Sequence, residues 1–267
     1  MPDVRPDAPP DTDCARLADN LPLMRQLTLV IPTYNEADNI RPLVEALFDL
    51  GLPGLRLLVV DDNSPDGTAD EAARAGASHG GRVSVLRRAG KLGLGTAYID
   101  GFRHALSAGG QAIGQMDADF SHAPGYLPDF LQALESCDVV FGSRYVAGGG
   151  LDPRWGPGRQ LLSRFGNVYA RAILGMSLTD TTGGYRVWRR ETLAAMPLDR
   201  IRSNGYVFQV EMGYVAEKLG FRQLELPIYF EERRLGRSKM SLRIQLEAAL
   251  RVWQVRWMHR HLRPLPR

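Results

Sequence analysis

The chain has 267 residues, enough for one large domain or two small ones, and its 44% hydrophobic content is ordinary for a folded globular protein with a sizeable core. A formal charge of +3 does not favour nucleic-acid binding, so any cationic site has to be local. Two cysteines, Cys14 and Cys137, offer neither a disulfide framework nor metal-ligand spacing, and they fit a reducing cytoplasmic setting, with Cys137 a small buried apolar residue.

The first 25 residues carry four prolines and five aspartates by Asp19, with no basic-then-apolar pattern; a disordered tail is expected there, followed by a catalytic domain over 26–240 and a helix and tail over 241–267. From Leu27 to about Ser143, strand-like runs alternate with helical patterns: LTLVIP, LRLLVVDD, VSVLRR, QAIGQMDAD and DVVFGSRY. This is the pattern of βαβ units in a mainly parallel sheet, whose ligands sit beyond the carboxyl ends of the strands. The polar clusters PTYNE, DDNSPDGT and DADFSH all fall at such ends. In the first, Asn35 is expected to cap the following helix. In the second, Ser64 to Gly67 reads as a turn, and a strand-end carboxylate such as Asp62 is able to accept hydrogen bonds from a ribose or base.

The stretch GQMDADFSH poses a sharper question. On a continuing strand Asp117 and Asp119 point to one side, where like charges repel unless a cation lies between them; a solvated acidic turn is the competing explanation. Beyond Ser143, the run VAGGGLDPRWGPG, with five glycines and two prolines, predicts a mobile connection of the kind that forms lids. An amphipathic helix (RQLLSRFGNVYARAILG), a strand (GYRVWRR), a helix (YVFQVEMGYVAEKLG), a strand (QLELPIYF) and a long final helix follow. In that last helix Leu246, Leu250, Trp253 and Trp257 recur every three or four residues, a stripe that either packs on the domain or lies in a membrane interface, where the terminal arginines suit anionic headgroups. No apolar run approaches the roughly 18 residues of a membrane span.

Together, IPTYNE, DDNSPDGT, KLGLGTAYIDGF, MDADFSH, GSRY, DTTGGYR, GYVFQVEM and RRLGRSKMS occur in this order. They resemble the inverting nucleotide-sugar glycosyltransferases of the glycosyltransferase-A fold, a doubly wound, mainly parallel α/β sheet, and most closely the dolichol-phosphate (polyprenol-phosphate) mannosyltransferases. The resemblance implies that Pro32, Tyr34, Glu36, Val60 and Asp62 hold the guanosine of GDP-mannose. It further implies that Asp117, the Ala118 carbonyl and Asp119 surround the diphosphate and a divalent metal, Mg²⁺ or Mn²⁺, with Ser121 a weaker ligand where part of the family has Gln. Arg144, Arg233 and Lys239 would supply positive charge to the donor, Arg144, Arg159 and Arg164 to the acceptor phosphate, while Arg186 reads equally as structural. No catalytic base is nominated; Asp119 and Arg144 are expected to act electrostatically. The expected partners are GDP-mannose, a polyprenyl (dolichyl-type) phosphate and the cytoplasmic face of a membrane, met peripherally or through a small membrane-anchoring partner. The competing functions are a UDP-glucose-dependent polyprenol-phosphate glucosyltransferase and a non-catalytic nucleotide-binding module.

Overall fold

The computed structural model describes residues 26–232 and 242–266, without the side chains of 242–246; the expected N-terminal tail and the candidate cations Arg233 and Lys239 lie outside the described residues. β1 (Leu27–Thr33) is buried at every position but Pro32, as expected of an apolar run covered on both faces. β2 (Arg56–Asp61) and β4 (Ala112–Gln115) flank it in parallel, and β3 (Val83–Arg87) pairs in parallel outside β2. Parallel neighbours need long crossovers, here made by α1 (Ala37–Phe48), α2 (Thr68–Ala77) and α3 (Leu94–Ser107). Gly101 lets α3 lie close on the sheet, because a Cβ there would sit 2.4 Å from Val30 Cγ1 and 3.0 Å from Val60 Cγ2.

The second half adds α4 (Leu127–Leu134), β5 (Val139–Ser143), β6 (Gly150–Leu151), α5 (Pro157–Leu174), β7 (Arg186–Arg189), α6 (Arg190–Ala195), α7 (Gly205–Lys218), β8 (Gln223–Pro227), β9 (Tyr229–Phe230) and α8 (Leu242–Met258). The seven-stranded sheet runs β3-β2-β1-β4-β7-β5-β8, with β7 antiparallel to both neighbours and the other pairs parallel. One core cluster lies on the face covered by α3, α7 and α8 and includes Tyr98, Phe208, Trp188 and Val255; the other lies under α1 and α4 and includes Leu43, Phe130 and Ile31. The mainly parallel doubly wound sheet expected from the sequence is the one observed.

One local expectation changes, and one pair of alternatives narrows. The glycine-rich run 146–158 is not a loose connection: β6 within it pairs in parallel with β9, the buried Asp152 accepts the backbone N–H of Glu232 at 3.1 Å, and Trp155 is buried. In α8, Val252 and Val255 pack on the domain, while Leu250, Trp253 and Trp257 of the stripe are 67%, 55% and 67% exposed, the outward of its two expected placements; the Leu246 side chain lies outside the described residues.

Candidate active site

The ends of β1 and β2 are built as one unit. Asp61 is buried and accepts hydrogen bonds from Thr33 Oγ1 at 2.9 Å and from the Ser64 backbone and hydroxyl, which closes the turn after β2. That turn in turn caps α1. The backbone N–H groups of Asn35, Glu36 and Ala37 donate to Ser64 Oγ, Thr68 Oγ1 and Asp66 Oδ2 at 2.9–3.1 Å. Asn35 is therefore not the cap; its φ of 61° places it in the left-handed region, and the N–H groups that lead into α1, Ala37 at its first position included, are satisfied from the second motif instead.

Pro32, Tyr34, Glu36, Val60 and Asp62 fall at or just beyond the carboxyl ends of the paired strands β1 and β2, with the Val60 side chain fully buried in the core under α3. Asp62 is buried, ion-paired with the buried Arg88, and its Oδ2 lies 3.4 Å from the Gly93 N–H that precedes α3. Arg88 also donates to Thr96 Oγ1 at 2.7 Å. Lys91, on the loop between them, sits over the Tyr34 ring with its ammonium 3.7 Å from the centroid. The sequence reading missed Arg88 and Lys91. The alternation of β3 was the available signal for Arg88, since Arg87 points outward to Asp70 and Arg88 inward.

The acidic pair does not sit on the continuing strand that was expected. β4 ends at Gln115, so Asp117 and Asp119 stand on a turn and not on a continuing strand. Phe120 adopts φ 63°, the Ser121 N–H and hydroxyl both donate to Asp119 Oδ1, and the Asp117 N–H donates to His122 Nδ1 at 3.0 Å. Tyr98 Oη donates to Asp117 Oδ1 at 3.2 Å from beneath. Burial pushes the His122 imidazole below its ordinary pKa, against the opposing pull of the two aspartates, which suits its role as a neutral acceptor. Asp119 and Ser121 are buried, as is Ala118 between the acids. Among the described residues no group of three or more His, Cys, Asp or Glu side chains forms a closed metal cage. Two carboxylates, a carbonyl and a hydroxyl that keeps its lone pairs while donating to Asp119 are oxygen ligands suited to a hard divalent cation shared with a ligand.

Opposite this turn lies a cluster of arginines and aromatic rings. Arg144 is buried and donates to both oxygens of Asp180 at 2.7 Å, with Thr182 Oγ1 a further acceptor at 2.7 Å. Burial alone pushes the Arg144 guanidinium down, and Asp180 more than reverses this; the same pairing brings the buried Asp180 carboxyl below its ordinary range. Arg144 is thus anchored on a carboxylate, an arrangement invisible from GSRY alone. Its guanidinium carbon lies 5.3 Å from the ring centroids of both Tyr145 and Phe230. Phe230 also meets His122 and Trp155 edge-on. Arg159 stacks over Trp155 at 3.6 Å and pairs with Glu232 at 2.6 Å, and Arg164 lies 5.9 Å from the Tyr145 ring. All three candidate acceptor cations therefore join one cluster, which touches the acidic turn through Phe230 and His122. Arg186 is buried below, donating to the Thr181 and Gly183 carbonyls, a role within the fold.

Known proteins resemble the chain in sequence and in fold. The chain is 47% identical over 234 residues, 88% of its length and 94% of the relative's, to the undecaprenyl-phosphate mannosyltransferase of Micrococcus luteus. It is 44% identical over 241 residues, 88% of its length and 89% of the relative's, to the polyprenol monophosphomannose synthase of Mycolicibacterium smegmatis. In fold it is similar to glucosyl-3-phosphoglycerate synthase from Mycobacterium tuberculosis, solved with Mn²⁺ and uridine diphosphate, at a TM-score of 0.63 and 18% identity over 92% of this chain and 84% of that one. A mannosyltransferase from Pyrobaculum calidifontis, solved with GDP-mannose and Mn²⁺, superposes at a TM-score of 0.55 and 20% identity over 80% of this chain and 58% of that one. Residues 28–196, from β1 to the end of α6, match the family described as Glycosyl transferase family 2, and the chain belongs to that family.

Proposed function

We propose that this enzyme transfers mannose from GDP-mannose to the phosphate of a polyprenyl phosphate with inversion, giving a polyprenyl β-mannosyl phosphate and GDP. The observation that carries this reading is the 44–47% identity, across nearly the whole of each relative, to two proteins named for that transfer. The geometry supports it, because a metal-suited acidic turn and an arginine cluster meet through His122 and Phe230, as a reaction between two phosphates requires.

In this reading Pro32, Tyr34, Glu36, Val60 and Asp62 hold the nucleoside, with Asp62 set by Arg88. Asp117, the Ala118 carbonyl, Asp119 and Ser121 would hold Mg²⁺ or Mn²⁺, which when bound neutralises charge on the leaving diphosphate. Arg144, Arg159 and Arg164 receive the acceptor phosphate, and Arg144 is assigned to the donor diphosphate together with Arg233 and Lys239, which the sequence alone nominates and which lie outside the described residues. A phosphomonoester has a second pKa of about 6, so near neutral pH it is largely a dianion and needs no base to become nucleophilic. His122 is consistent with this: its Nδ1 is occupied by the Asp117 N–H. The protein's work is to align the two phosphates and to hold their charges with fixed groups.

The purified full chain assayed with GDP-mannose and with UDP-glucose against a short polyprenyl phosphate, with and without Mn²⁺, tests this. Metal-dependent mannosyl transfer from GDP-mannose is expected. Glucosyl transfer from UDP-glucose would replace the donor, and nucleotide binding without turnover on either donor would make the protein a binding module.

No helix among the described residues is long and apolar enough to cross a membrane. We infer that α5 and α8 lie on one instead. Leu161, Phe165 and Val168 of α5, one face at helical spacing, are 71%, 64% and 60% exposed beside the exposed Leu250, Trp253 and Trp257 of α8. Tyr169 Oη donates to the Ala249 carbonyl at 3.1 Å, which ties α5 to the α8 backbone, and the exposed Trp253 Nε1 adds a hydrogen bond to Tyr169 Oη at 3.1 Å. Arg159 and Arg164 stand on the same helix as the α5 face, so docking would bring a headgroup phosphate to the cluster. Trp253→Ala with Trp257→Ala is expected to leave Tm nearly unchanged, since exposed side chains contribute within about 0.5 kcal/mol of nothing. Binding to anionic liposomes and activity on a long polyprenyl phosphate should fall by on the order of tenfold, with a short soluble acceptor spared. Equal loss on both acceptors would reject the membrane role.

A further inference from the structure

α7 carries a carboxylate that this reaction does not use. Glu211, in the GYVFQVEM motif, is fully buried; it accepts the backbone N–H groups of Ser203 at 2.8 Å and Arg202 at 3.2 Å and lies 2.7 Å from Nε2 of the buried His259. Burial pushes its carboxyl up, but the hydrogen bonds from His259 and Ser203 together outweigh this and hold it below its ordinary value. An ionised carboxylate only accepts, so His259 Nε2 carries the hydrogen between them. His259 follows α8 directly, and the carboxylate thus joins the last helix to the segment 202–204.

That segment bears on the residues around Asp62, assigned above to the donor nucleoside. The Ser203 carbonyl and the Asn204 side chain pack against the start of α3 without slack: a Cβ on Gly95 would lie 2.4 Å from Ser203 O, and one on Gly93 would lie 3.0 Å from Asn204 Oδ1. The Gly93 N–H points at Asp62 Oδ2, and Thr96 accepts from Arg88, the partner of Asp62. Backbone that close transmits a shift instead of absorbing it.

We propose that Glu211 and His259 are positioning residues for donor binding, clamping 202–204 against Gly93–Thr96 and so holding Asp62 and Arg88 in place. This rests on the assignment of Asp62 to the nucleotide site. The helix that presents Trp253 and Trp257 outward holds the donor wall on its inner side.

The test measures GDP affinity with Mn²⁺ by calorimetry, KM and kcat for GDP-mannose, and Tm, for the wild-type chain, His259→Ala, His259→Gln, Asn204→Ala and the double variant His259→Ala with Asn204→Ala. His259→Ala should weaken GDP binding and raise KM by about three- to tenfold, more than it changes kcat. His259→Gln, which keeps a donor for Glu211, should recover most of the loss. Asn204 is exposed, so Asn204→Ala should weaken GDP binding at wild-type Tm, and the double variant should be little worse than the more affected single one, because both act on one contact. A lowered Tm in His259→Ala with wild-type GDP affinity and KM overturns the proposal. Should His259→Ala not fold, unchanged GDP affinity in Asn204→Ala overturns it. A wild-type chain that binds no GDP overturns instead the functional reading beneath it.

Discussion

Asp119→Asn is expected to abolish metal-dependent transfer while leaving Tm close to wild type. Asp119 is buried, and its Oδ1 organises the turn by accepting the Ser121 N–H and hydroxyl. Asparagine retains an acceptor oxygen for both, so the turn survives and only the charge is removed. With one carboxylate left, the acidic turn cannot offset a cation beside the diphosphate, and turnover should drop by at least about 10²–10³-fold, the scale of losing one fixed electrostatic contact to developing charge. Asp119→Ala should lose activity as fully and add a stability cost of about 1–3 kcal/mol, from the donors it leaves unsatisfied. Assays across a Mn²⁺ titration, with Tm alongside, decide the matter: a folded Asp119→Asn protein that keeps most of its metal-dependent activity would remove the metal assignment.

Arg144→Ala should lose both stability and turnover, and the two losses are separable. The pair with Asp180 is buried on both sides, at 7% and 0% side-chain exposure. Removing the arginine leaves a carboxylate in the interior with only backbone and hydroxyl donors, among them the Arg144 and Gly183 N–H groups. Breaking such a pair costs about 3–5 kcal/mol, which for a chain of this size lowers Tm by on the order of 10 °C. Replacing both partners with apolar residues of similar volume, as in Arg144→Met with Asp180→Leu, should restore part of the stability, because the stranded carboxylate is gone, while the buried Arg186 loses the Asp180 charge that supports it. If Arg144 stabilises phosphate charge in the reaction, the repaired double variant stays inactive at saturating GDP-mannose. Activity returning together with Tm would show that Arg144 serves the fold alone.

What was legible in the sequence was what depends on neighbours along the chain. Uninterrupted apolar runs separated by helical periods specify strands buried on both faces and joined by crossovers, and so specify a parallel sheet with polar clusters at its carboxyl edge. The eight ordered motifs pointed to the family for the same reason, since each is a local stretch of backbone and side chains kept in one place. Periodicity also placed Leu250, Trp253 and Trp257 on one face of the last helix.

Which way that face looks was decided only by packing: Val252 and Val255 fill the core beside α7, and the tryptophans are left outside. The division of labour between Asp61 and Asp62 is likewise tertiary. One closes its own turn and the other takes Arg88, 26 residues away in sequence. Arg144 looked like a cation open to ligand until Asp180, 36 residues on, was seen to hold it. The acidic pair was predicted from strand alternation, but the two residues stand on a turn after β4 that contains one left-handed residue, Phe120. Local order follows from spacing because backbone geometry is periodic. Charge pairing and capping follow from which distant groups the fold brings within about 3 Å, and no period along the chain encodes that distance.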